Sequence, residues 1–324
     1  AGGAAALDEV MATGFSHGLG ASPANRELVE WMRRENRTRD PADRLRFDGF
    51  DAPLEMMSAG SPRGPLQALH GYLAAHVDAG RLRSDAATID RLAGDDTCWT
   101  DTAAMLDASR SVGDTPAARE LRVLADDLAA LLTVEAPTLV AASREAWDRA
   151  RLDARTATGL LRYHAILADP APSRVARALG QRDAMMADNL NAVAEREARR
   201  GPTLVFAQNS HLQRVPSTWR LADMDLRWWS AGAITAATCG DHYAFVAMAI
   251  GSAPARGLGS PGPATVEGVL AGLPPGIHPT ADIRAALRDR EVLPRTDMTP
   301  EHGYFPLDPG HLQGADGVLY LPEV

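Results

Sequence analysis

The stretch TLVFAQNSHLQR, from Thr203 to Arg214, decides how this chain is read. Its first five residues form a short apolar run, and Gly201 and Pro202 just before it close a helical segment. That pattern predicts a short buried strand. Gln208, Asn209 and His211 follow where the apolar run gives out. In an open α/β sheet, ligands bind at the carboxyl ends of the strands. A neutral imidazole at such a strand end has a pKa near working pH and can take a proton from water, which makes His211 the leading catalytic candidate. The plainer alternative is a histidine that only hydrogen-bonds at the start of a loop.

PSRVARALGQRDAMMADNLNAVAEREARR (Pro172 to Arg200) is a long amphipathic segment leading into this strand. A helix followed by a short buried strand is half of a βαβ unit. The helix carries Arg182 and Asp183 side by side. An aspartate can orient a histidine or a water, and an arginine can clamp a carboxylate or polarise a carbonyl. A surface Arg–Asp pair on an amphipathic helix is the common alternative.

Further upstream, the chain from Pro65 to about Ala198 repeats apolar residues at i, i+3, i+4. Its breaks fall at Gly94-Asp95-Asp96, Gly113-Asp114 and Asp169-Pro170-Ala171-Pro172. PANRELVEWMRREN (Pro23 to Asn36) predicts a helix with Pro23 at its start, and RLRFDGFDAP (Arg44 to Pro53) a strand. Downstream, HYAFVAMAIG predicts a strand, TVEGVLAGL a helix and DGVLYLPE a final strand. The expected fold class is therefore α/β, with a central mainly parallel sheet flanked by helices and a large helical insertion. Residues 1–64 would start the α/β core, incomplete at its N-terminus. Residues 65–170 would be the helical insertion, and residues 171–324 the remainder of the core.

Composition removes several function classes. The 324 residues can bury a large core, and the net charge of -9 is spread through interleaved acidic and basic residues. A nucleic-acid partner would need a clustered basic face, which is missing. All 33 basic residues are arginine, which reads as coding bias. No apolar run approaches the ~18 residues of a membrane span, and AGGAAALDEV is not an intact signal peptide. Cys98 and Cys239 lie far apart, in no metal or redox spacing, and read as buried free thiols in a reducing compartment. A cytoplasmic protein acting on a small molecule is the expectation. Oligomeric state is not legible.

A third candidate segment is GFSHGLG (Gly14 to Gly20), whose glycines bracket His17. It lacks the lysine and the strand–turn–helix context of a P-loop. The Gly-x-Ser-x-Gly elbow of the α/β-hydrolases appears nowhere in the chain. His70, His76, His164 and His242 fall in predicted helices or strands and read as structural. No HExxH and no paired cysteines occur, so neither a metal nor another cofactor is expected.

Taken in order, ANRELVEWMRREN, RLRFDGFD, QRDAMMADNL, TLVFAQNSHLQR, GDHYAFVAMAIG and GADGVLYLPE resemble the erythromycin esterase family over most of the chain. The resemblance implies an α/β fold with a helical insertion and hydrolysis of a macrolide ester by histidine-activated water. It carries the second histidine of a His-Asn-x-His motif onto His211. It likewise carries the Arg-Asp pair of the long helix onto Arg182 and Asp183, and the Asp after a Gly-Phe pair onto Asp51. Gln208 stands where the motif's first histidine would be. Glutamine can hydrogen-bond a carbonyl or a water but cannot act as a base at neutral pH. Gln208, Asn209, His17 and Asp51 are thus the expected substrate-binding residues. The family's Gly-Glu-x-Thr-His-Gly segment is not found in these residues. A preceding region on the order of a hundred residues, a truncated chain, or a branch that lacks the motif would each account for this, and the first is the expectation. Two other functions fit the same scaffold. One is a lyase or cyclase step on a natural product. The other is a non-catalytic binding protein whose pocket Met56, Met57, Trp228 and Trp229 would line.

Overall fold

The computed structural model describes residues 6–55, 57–288, 290–299 and 304–324. Two helices lead the chain, α1 (Leu7–Thr13) and α2 (Pro23–Glu35). Pro23 opens α2, where its fixed φ and missing N–H cost nothing. The expected strand at 44–53 does not form. Residues 44–50 have no regular structure, and only an isolated bridge, Leu54 to Ala59, follows.

The helical stretch forms as its periodicity predicts. It comprises α3 (Arg63–His76), α4 (Ala86–Ala93), α5 (Asp96–Trp99), α6 (Pro116–Val134), α7 (Ala136–Ala142), α8 (Arg144–Leu167) and α9 (Arg174–Glu197). Thr115 and Ser143 start α6 and α8 by accepting the backbone N–H groups of Ala118 and Ala146, which would otherwise lack partners. Leu66, Leu69 and Leu73 of α3 interlock with Leu121 and Leu128 of α6 and Leu161 of α8 in one core. Helix α9 has two apolar faces. Ala178 and Met185 pack with Tyr163 of α8 and with Ala52 and Leu54. Met186 and Leu190 join the C-terminal core, with Ala247, Ala249 and Val318. The helix therefore stands between the helical layer and the sheet.

After α9 come α10 (Asn209–Leu212), β1 (Ser217–Leu221), β2 (Met224–Trp228), α11 (Ala231–Cys239), β3 (Val246–Ser252), α12 (Val266–Leu270), β4 (Gly276–Pro279), α13 (Thr280–Leu287) and β5 (Gly317–Glu323). The strands predicted from HYAFVAMAIG and DGVLYLPE are β3 and β5. They pair in parallel, with Ala247 opposite Val318 and Ala249 opposite Tyr320. On the other side of β5, β4 is antiparallel. The β1–β2 hairpin, with Trp219 opposite Leu226, forms a separate antiparallel sheet. The fold is mixed α/β and mostly helical, with two small sheets among the described residues. A central mainly parallel sheet is not present among the described residues.

The segment TLVFA explains much of that difference. It alternates as a strand does: Val205 and Ala207 pack against the C-terminal core, while Leu204 and Phe206 point away, 96% and 79% exposed. No described residue makes a backbone hydrogen bond to residues 202–207. Period-2 alternation sets which way a side chain faces, but a ladder also needs a neighbouring strand. The cysteines differ from expectation as well. Both are free, but Cys98 is exposed, because the short α5 turns Trp99 inward and leaves Cys98 outside. Among the described residues, no helix is long and apolar enough to cross a membrane.

Candidate active site

Asp183 lies in the middle of α9 and is completely buried. Three donors converge on its carboxylate. His211 Nδ1 is 2.9 Å from Oδ1, the Ala231 backbone N–H donates to the same oxygen at 2.8 Å, and Trp228 Nε1 donates to Oδ2 at 2.6 Å. An ionised carboxylate only accepts. In the neutral ring this contact fixes the tautomer: Nδ1 carries the hydrogen and Nε2 the lone pair. The ring is about one-fifth exposed, with side-chain accessibility of 20%.

His211 rides on α10, a single turn that could not persist alone. Its neighbours hold it. The Ser217 hydroxyl donates to the Ser210 carbonyl, Tyr243 OH to that of Leu212, and the Ser230 hydroxyl to that of Gln213. Helix α11 presses so close that a Cβ on Gly232 would sit 2.0 Å from the Leu212 carbonyl oxygen. Asn209 fastens the start of α10 to the sheet. Its Nδ2 donates to the Met248 carbonyl at 2.8 Å, and its Oδ1 accepts the Met248 N–H at 2.9 Å.

Arg182 projects about 100° around α9 from Asp183. Its Nε and Nη2 clasp Asp51 at 3.2 and 2.5 Å. Burial alone would pull the Arg182 guanidinium down, but the hydrogen bond and charge of Asp51 outweigh it and raise its pKa above the ordinary arginine value. Nearby Tyr163 is buried, which pushes its phenol up to about 12. Arg182 Nη2 also approaches His17 Nε2 at 3.3 Å. That imidazole nitrogen lies 3.3 Å from Glu55 Oε2, and His17 Nδ1 lies 2.8 Å from Ser16 Oγ. A neutral imidazole can accept from Arg182 or donate to Glu55 through Nε2, but not both at once. His17 has φ 56°, a left-handed conformation that few residues other than glycine adopt.

The sequence profile of the erythromycin esterase family matches residues 2–313. The chain belongs to that family. No curated protein matches the sequence. Among solved structures, a protein from Bacillus cereus superposes with TM-score 0.63 at 16% identity, covering 98% of this chain and 77% of that one. A variant of the erythromycin esterase EreC in its open conformation gives 0.62 at 13% identity, covering 98% and 79%. A succinoglycan biosynthesis protein gives 0.59 at 13% identity, covering 98% and 76%. At these identities the likeness is one of fold. Family membership supports a hydrolase-like function in the broad sense.

Within this member of the erythromycin esterase family, the residues singled out by sequence fall into two groups beside α9. His211 and Asp183 touch each other. Arg182, Asp51 and His17 form the second group. Gln208 caps α10, and its Oε1 accepts from the Ser210 hydroxyl at 2.7 Å. The Asn209 amide is committed to the sheet at both ends. Of the proposed pocket-lining residues, Trp228 serves Asp183, Trp229 and Met57 are exposed, and Met56 lies outside the described residues. Sequence reading missed Glu55, Ser16 and the aspartate-binding role of Trp228. Glu55 and Ser16 stand in loops without periodicity, and their one visible signal was proximity to His17 and Asp51 in the chain. His70, His76 and His164 each bond a backbone carbonyl, of Ser84, Tyr72 and Gly60 respectively. No group of three or more His, Cys, Asp or Glu able to hold a metal ion occurs among the described residues.

Proposed function

We propose that this protein hydrolyses an ester or lactone of a macrolide or other secondary metabolite. The observation that carries the reading is the committed Nδ1 of His211, which leaves Nε2 accessible as a base. Asp183 holds the ring and stabilises its charged form once it has taken a proton. A water gives that proton to Nε2, and the resulting hydroxide adds to the ester carbonyl carbon. When the tetrahedral intermediate collapses, the C–O bond to the alcohol breaks and His211 returns the proton to the departing oxygen. Arg182, held by Asp51, is the cation nearest this centre along α9. Its Nη1 makes no hydrogen bond to any described residue and is available to a carbonyl oxygen or oxyanion. His17 and Glu55 supply the polar wall beside it. In this reading residues 65–170 form the helical insertion, and α9 is the wall that the insertion shares with the core. The name of EreC supports a macrolide ester as the first substrate to try.

The test is turnover on a panel of aryl esters and macrolide lactones, with product mass read alongside rate. Hydrolysis adds the elements of water, and His211→Ala should lose about 10²–10⁴-fold in rate. Products with unchanged mass would transfer the site to a lyase or cyclase. Turnover undiminished in His211→Ala would refute the assignment of the base.

A further inference from the structure

A groove of about 240 Å³ opens between α6, α8 and α9, away from the histidine centre. Arg151, Arg155 and Arg162 of α8 line it, with Thr133 of α6 and Gln181 and Asp188 of α9. At about 100° per residue, Gln181 and Asp188 lie roughly 140–160° around α9 from Asp183. The groove and the histidine thus occupy opposite sides of one helix.

The three arginines differ in what they have to hold. Arg151 is engaged, 3.3 Å from Glu195 and stacked 4.6 Å over the Trp147 ring. Arg155 is not. Its Nε donates to Asn189 Oδ1 at 3.2 Å, while Nη1 and Nη2 make no hydrogen bond to any described residue. Burial, with the charge of Arg151 added, pulls its pKa below the ordinary arginine value; Asp188, Asp148 and Glu195 offset this only at a distance. The unused fork is not among the buried unpartnered atoms, so it opens to the groove, where an anion can take the place of water. Its direction is also fixed. Asn189 Nδ2 donates to the Phe50 carbonyl at 3.0 Å, so the amide oxygen must face Arg155. Arg162 lies about two helical turns along α8 from Arg155, on the same face. It makes no ion pair or hydrogen bond with any described residue.

We infer that this groove is a binding subsite for a small oxyanion, a phosphate or carboxylate group, received on the free fork of Arg155 and on Arg162. Arginine's planar fork matches two oxygens of either group. The volume admits a phosphate ester or a short carboxylate. Asp188 at the rim opposes an anion and keeps the site weak. The inference does not depend on the hydrolytic reading, because it concerns binding alone.

The experiment is calorimetric titration of the whole chain with inorganic phosphate, methyl phosphate and acetate separately, in a chloride-poor buffer without oxyanions. Saturable one-site binding is expected, weakened about tenfold in Arg155→Met. Arg162→Gln should weaken it a few-fold. Asp188→Asn should tighten it a few-fold, which no purely structural role would produce. Phosphate and methyl phosphate binding above acetate would assign a phosphate group, and the reverse a carboxylate. Arg162 and Asp188 are exposed, so their variants decide the matter even if Arg155→Met fails to fold. No saturable binding of any of the three at tens of millimolar, or unchanged affinity in both exposed variants, would overturn the inference.

Discussion

Asp183→Asn tests the centre of the site with the smallest possible change. The amide has the shape of the carboxylate but one acceptor where there were two. In the native arrangement Oδ1 serves His211 and Ala231, and Oδ2 serves Trp228. If the asparagine oxygen takes the Oδ1 position, its NH₂ confronts the indole N–H of Trp228. If it takes the Oδ2 position, the NH₂ confronts the Ala231 N–H and forces His211 into the other tautomer, which occupies Nε2 with a hydrogen. Either way one buried donor loses its acceptor, at about 1–3 kcal/mol. For 324 residues the unfolding entropy is about 0.7 kcal/mol/K, so 2 kcal/mol lowers Tm by about 3 °C. Denaturant and thermal melts read the stability, and ester turnover should fall by about 10²–10⁴-fold. Trp228→Phe supplies the control. Without the indole N–H the asparagine fits in its first orientation, so the cost of Asp183→Asn should shrink by about 1–2 kcal/mol in that background. Stability of Asp183→Asn within about 0.5 kcal/mol of the parent, with no coupling to Trp228, would refute the convergence of donors on this carboxylate.

Gly232→Ala places a methyl 2.0 Å from the Leu212 carbonyl oxygen and 2.5 Å from Tyr243 OH, both part of the support of α10. It should cost about 3 kcal/mol or more in melts and depress turnover by displacing His211. His164 is buried, which lowers its pKa from 6.5. The unfolded chain then binds a proton more readily than the folded one, so this contribution to stability is complete above pH 6.5 and is lost as pH falls towards the lowered folded value. Melts against pH should show the slope, and His164→Gln should flatten it. Leu204→Thr and Phe206→Thr remove side chains that are almost wholly exposed, and should leave melts within about 0.5 kcal/mol while reducing self-association in light scattering. A large loss of stability would show that these side chains are covered in solution.

Much of the helical part was legible because helix signals are local. Pro23 and the 3.6-residue apolar period act within a turn or two, as do the caps Thr115 and Ser143, which the structure added. The long helix carrying Arg182 and Asp183 could be read from its own residues, and so could the polar turn bearing His211. Strands were read less well. The apolar runs behind β3 and β5 were recognised and those runs do pair, but TLVFA carried the same signal and has no ladder among the described residues. The β1–β2 hairpin, with arginine and aspartate at alternate positions, gave no apolar run to notice. Sequence alone therefore determined which segments coil, which residue types could do chemistry and which family the chain resembles. Tertiary structure alone decided that Asp183 meets His211 across 28 residues, that Trp228 completes its shell, and that Arg182 faces Asp51 across 131. The physical reason is range. Helical hydrogen bonds close within four residues, whereas a buried carboxylate is satisfied by whichever donors the packing of distant elements brings to it.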